Sequence, residues 1–231
     1  MNRLTAVCSL SLAMLLANTT AKAQFAAPVQ PPRVEPAGTF IVYPSVGVLD
    51  DSDFTDAALM LRGRYSVLDQ VSLSGELGGA FGDTDEFEIG FGSKLQLLEQ
   101  SVDLPIEVSI FGGFDAGIGD VDSETLAFGP LVGHRFDVDQ LGVTPYGGFA
   151  VGFTHVSNED GRRDDGGDGS DTNVLFGLIF GSDIAFTPQL STTVEFEFGT
   201  TDGIPALNWH WALAYELFPA PRYVPPVSSP S

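Results

Sequence analysis

The sequence predicts an all-β chain wound into an up-and-down antiparallel barrel that crosses a membrane with about ten strands, eight being the alternative count. Three observations predict it. Apolar and polar residues alternate with period two through most of the chain. The alternating runs have the length of a tilted membrane-crossing strand, about 9–11 residues. The connections between them are alternately tight turns and longer, more acidic stretches, as in a barrel with one rim of turns and one of loops.

The elements follow in chain order. Arg3 precedes an apolar stretch from Leu4 to Ala17, and Ala21-Lys22-Ala23 before Gln24 fits a small-x-small cleavage site. Residues 1–23 therefore read as a secretory signal peptide, since the apolar run is short of the roughly 20 residues of a spanning helix. Cleavage removes Cys8, the only cysteine, and with it any disulfide, thiolate metal site or cysteine nucleophile. It leaves 8 basic against 31 acidic residues, a net of −23, with Lys94 the one lysine. That balance excludes a nucleic-acid binder tracking phosphates and a basic arm docked on anionic headgroups. With 18 Phe and 18% charged residues, the chain is not disordered as a whole. Residues 24–38, with the run Pro28–Pro36 (PVQPPRVEP), and residues 219–231 are Pro-rich and cannot join a ladder internally. They are expected as extended or disordered tails around a barrel spanning 39–218.

Within the barrel, turn residues delimit strands at 39–48, 56–66, 71–81, 87–97, 105–115, 125–135, 143–155, 174–185, 190–199 and 206–218. The alternation is plain where Leu73, Leu77 and Phe81 interleave with Ser72, Ser74, Glu76 and Ala80. It is plainest where Leu207, Trp209, Trp211, Leu213, Tyr215 and Leu217 interleave with Asn208, His210, Ala212, Ala214 and Glu216. Pro130 and Pro145 each delete a ladder donor, which implies a bulge or strand end there and keeps eight strands open.

Period two leaves open which face is outside, so a soluble periplasmic barrel binding an apolar ligand is one alternative. Composition favours the inside-out form. A soluble barrel displays many Lys and Glu on its wall, whereas the polar face here is mostly Gly, Ser, Ala and Thr. The charges on that face, Arg62, Arg64, Glu76, Glu88, Glu107, Glu195, Glu197 and Glu216, are expected to pair inside the lumen, because enclosed charges need partners. Tyr43, Tyr65, Trp209, Trp211 and Tyr215 are expected as an aromatic girdle at the lipid–water interfaces.

The run Thr144–Phe153 (TPYGGFAVGF), a polar loop, Gly181–Phe198 and the Trp-rich strand ending at Phe218 resemble the C-terminal half of small outer-membrane barrels of the OmpA and OmpX type. The resemblance implies an integral outer-membrane protein. One departure is that thirteen residues follow Phe218, where those barrels end on their last aromatic residue. A second, local resemblance lies at His155-Val156-Ser157-Asn158, which is similar to the H-x-S-N motif of outer-membrane lipid A deacylases. It implies a Ser157 nucleophile activated by His155, with Asp171 as the orienting carboxylate. Two further strands follow here, and the acid is Asp where that family has Glu.

The same loop holds Asp164, Asp165, Asp168 and Asp171, and its Gly166–Asp171 part resembles a single calcium-binding nonapeptide repeat. The longer connections together carry about half of the 31 acidic residues. That makes one rim negative and able to meet lipopolysaccharide phosphates through divalent ions. The expectation is thus a monomeric barrel of the outer membrane with a structural or surface-interaction role, a lumen filled by side chains, and no cofactor. Its partners are outer-membrane lipid and lipopolysaccharide, not nucleic acid. The enzymatic alternative is lipid A deacylation by His155, Ser157 and Asp171.

Overall fold

The computed structural model describes residues 31–50, 55–82, 86–119, 122–157, 170–201 and 204–218. The segments expected as signal peptide and C-terminal tail, Asn158 and the aspartates 164, 165 and 168 lie outside the described residues, as do the side chains of Ser157 and Asp171.

Among the described residues there are eleven strands, ten of them long enough to alternate apolar with polar: β1 (Phe40–Asp50), β2 (Thr55–Leu68), β3 (Val71–Gly82), β4 (Glu86–Leu98), β5 (Glu107–Gly119), β6 (Asp122–Gly133), β7 (Phe136–Val138), β8 (Leu141–Ser157), β9 (Ser170–Thr187), β10 (Leu190–Thr201) and β11 (Ile204–Phe218). Each pairs antiparallel with its neighbours, β1 pairs with β11, and a β6–β8 ladder closes the ring. Ten strands make the wall. The eleventh, β7, is no extra stave: Gly133 faces Tyr146 on β8 and Phe136 faces Val143, so β7 continues β6 in unbroken register after a gap at His134-Arg135.

Neither proline ends its strand. Pro130 pairs with Ile110 and Pro145 with Ser182. The missing donor of Pro130 shows instead as a lapse in the β6–β8 ladder between the Phe128–Val151 and Leu131–Gly148 pairs, and that of Pro145 falls at the gap between β6 and β7, with register kept across both. The ring of ten paired staves excludes the count of eight.

The wall is inside-out. Leu73, Phe196 and Trp209 are 49%, 43% and 36% exposed, while Glu195 and Glu197 are 1% exposed. Large apolar side chains stand outward on all ten staves, among them Leu61, Phe91, Phe114, Phe128, Phe149 and Phe180. An apolar belt of that extent on every side is stable only against hydrocarbon. A soluble barrel needs the opposite arrangement, and that alternative falls. Tyr65, Trp209, Trp211 and Tyr215 face outward with this belt, but Tyr43 does not. It is 5% exposed and turned into the lumen, because it shares the register of Ile41 and Ser45, the inward set of β1.

Candidate functional site

The site that the ring creates is its lumen, and three zones divide it. The first is ionic. Directly opposed in register on β2 and β3, Arg62 and Glu76 form a buried salt bridge. The Glu76 carboxylate is also hydrogen-bonded to Asp115 from β5. One register step toward the short-turn rim, the Arg64 guanidinium lies 5.2 Å from the ring centre of Tyr43, a cation–π distance. Across the lumen the Tyr146 hydroxyl donates to Glu195 Oε2 at 2.6 Å, and Thr193 Oγ1 donates to Asp183 at 2.9 Å. Gly181 makes the first of these reachable: it faces Tyr146 across the ladder, and a Cβ there would overlap the tyrosine ring and hydroxyl. Ser123 Oγ donates to Glu86 at 2.8 Å near the long-loop rim.

The second zone is apolar. Phe111, Leu131, Tyr146, Ala150, Leu175 and Ile179 pack together inside the barrel on β5, β6, β8 and β9. Sequence reasoning missed it. The signal was present in Leu175-Phe-Gly-Leu-Ile-Phe180, where apolar residues occupy both faces of one strand.

The third zone is the short-turn mouth, where the Pro-rich N-terminal segment sits. Residues 31–36 join no ladder and Ala37-Gly38 make a turn, closed by the Thr39 amide donating to the Pro36 carbonyl; within the segment Pro32 is fully buried and Val34 is 4% exposed. Between this segment and the wall lies a cavity of about 700 Å³, lined among others by Arg33, Glu35, Tyr43, Arg64, Asp183 and Glu216.

Of the expected lumen charges, Arg62, Arg64, Glu76, Glu107, Glu195 and Glu197 are buried, and Glu88 and Glu216 are half-buried on the same inner face. The motif residues lie elsewhere. His155 points outward near the long-loop rim, with Nδ1 3.1 Å from Thr172 Oγ1 and Glu124 opposite it in register. Ser157 pairs with Asp122 on one side and Ser170 on the other.

The family described as outer membrane protein beta-barrel domain matches residues 9–215. No curated protein sequence matches the chain. Solved structures similar to it include the N-terminal β-barrel domain of Pseudomonas aeruginosa OprF, at 8% identity and TM-score 0.42, covering 79% of this chain and all of that one. Ail, the attachment invasion locus protein of Yersinia pestis, is 12% identical with TM-score 0.36, over 80% of this chain and all of that one. The COG4313 outer membrane channel of Pseudomonas putida F1 is 16% identical with TM-score 0.42, over 82% and 100%.

Proposed function

This chain belongs to the outer membrane protein β-barrel domain family, and from that premise we propose a structural or surface-interaction role for it, as a monomer with a side-chain-filled lumen and an acidic external rim. It is an integral outer-membrane barrel. The observation that carries the rest is the content of the lumen. The Arg62–Glu76 bridge on β2 and β3 and the Leu175–Ile179 patch on β9 fill walls that stand nearly opposite in a ring of ten. Filling of this kind suits a narrow barrel and leaves little room for a water column.

Outer-membrane lipid covers the apolar wall, and lipopolysaccharide phosphates meet the acidic connections through divalent ions. The purified protein in planar bilayers is expected to give no stepwise conductance. Steady large steps would identify a pore and overturn the reading.

The outward position of His155, hydrogen-bonded to Thr172 at a lipid-facing rim, favours one second reading, the ester hydrolase acting on lipid A. Release of ester-linked acyl chains from lipopolysaccharide by the native protein, lost in His155→Ala, would establish it. Absence of release from both proteins removes it.

A further inference from the structure

We infer that the short-turn mouth of the lumen is a peptide-binding seat built for a proline-containing segment that joins no ladder, and that its occupant is residues 31–38 of this same chain. The seat reads backbone at four points. Lys94 Nζ donates to the Pro31 carbonyl at 2.7 Å, and Gln96 Oε1 accepts from the Val34 amide at 2.9 Å. Asp69 Oδ1 accepts from the Ala37 amide at 2.9 Å, and the Ser66 carbonyl accepts from the Gly38 amide at 2.8 Å. It also reads shape. Pro32 rests on Gly133, where a Cβ would come within 2.7 Å of the proline Cγ, so only glycine leaves that seat open. Val34 is enclosed beside it.

The physical logic lies in the prolines. Burying a strand without a ladder partner normally strands its amide donors. Pro31, Pro32 and Pro36 have none, and the inward amide of Val34 is taken by Gln96. Proline also narrows the backbone angles open to the free segment, so docking loses less chain entropy. On the wall side, Lys94 and Gln96 are long polar side chains on a strand whose other inward positions include Gly90 and Gly92. They reach into the mouth because the segment's carbonyl and amide are there to meet them.

The test is trypsin cleavage of the Arg33–Val34 bond in the folded full chain in detergent. The Arg33 side chain is 38% exposed, so protection of that bond reports docking of the backbone, not burial of the arginine. The native protein is expected to resist cleavage there. Gln96→Ala and Lys94→Met should each speed it about tenfold, since each removes one backbone contact and cleavage follows the undocked population. Gly133→Leu, which fills the seat of Pro32, should speed it further. Heat-modifiable electrophoretic mobility confirms that each variant is folded; if Gly133→Leu does not fold, Gln96→Ala carries the test. Cleavage of the native chain as fast as in urea overturns the inference. So does a rate unchanged by both Gln96→Ala and Lys94→Met in folded protein.

Discussion

Arg62 and Glu76 show what single residues do inside this wall. Each is less than a tenth exposed, and they face each other across one ladder. Removing one partner of a buried pair leaves the other charge uncompensated, so Arg62→Met is expected to destabilise the barrel by about 3–5 kcal/mol in urea unfolding. Glu76 also shares a hydrogen bond with Asp115, so loss of Arg62 leaves that acidic pair without its buried cation. Changing both residues, Arg62→Met with Glu76→Leu, is expected to recover most of the loss, and a cycle without coupling would contradict the pairing. Gly181 is the neutral counterpart. Gly181→Ala forces Tyr146 off Glu195 and should cost about 1–3 kcal/mol, as overpacking does. Arg62 and Glu76 were legible as enclosed charges because ionic residues on a small-residue face have nowhere else to go. The inward turn of Tyr43 was equally present in the register of Ile41 and Ser45, but aromatic residues near strand ends suggest a girdle by type before register is counted. Tyr146 hid for another reason: its partner lies on a strand 49 residues away.

At the scale of a strand, β9 carries two pressures on alternate residues. Leu178 faces outward and Ile179 is fully buried inside. Leu178 lies near the middle of β9 and Phe186 at its short-turn end. Leu178→Arg should therefore cost about 2–4 kcal/mol, and Phe186→Arg about 0–1 kcal/mol, if the outer face meets hydrocarbon. Equal costs in vesicle refolding would contradict a bilayer around this wall. All ten staves were legible from alternation, but their ends were not. β9 begins at Ser170, where the pattern suggested 174, and β8 runs to Ser157. Pairing between Thr154 and Asn173, and between His155 and Thr172, continues past Phe153–Val174, the last pair with an apolar residue on both strands. A hydrogen-bonded ladder needs no hydrophobic contrast, so periodicity falls silent before the strand stops. The stub β7 is three residues long and offers no period at all. Its place as a continuation of β6 follows only from register. The docking of residues 31–38 was out of reach for a similar reason: proline content announces an extended chain, whereas its seat is assembled from β2, β4, β6 and the β2–β3 turn.

For the whole molecule, orientation follows from the two rims. Phe40 pairs with Phe218, and Leu68 turns directly into Val71 on the same side, so both barrel termini and the short turns share one rim. β8 ends at Ser157 and β9 begins at Ser170 on the other rim, and the sequence between them, the longest connection, contains Arg162 and Arg163. Outer-membrane barrels keep short turns in the periplasm and long loops outside. Trypsin added to intact cells should therefore cut at Arg162 or Arg163 and leave the chain in two pieces that remain together in the membrane fraction. Arg33, on the short-turn side, should stay uncut by the external protease. This differs from the detergent experiment because the membrane, not docking, provides the barrier. It can be made independent of docking by repeating it with Gln96→Ala, in which Arg33 is expected to be cut only after the cells are opened. Cleavage at Arg33 in intact cells, with the 158–169 connection spared, would reverse the orientation and place the peptide seat on the cell surface. Cleavage at both sites from outside would mean that the membrane separates no two rims, which a barrel with an outward apolar belt on all ten staves does not permit.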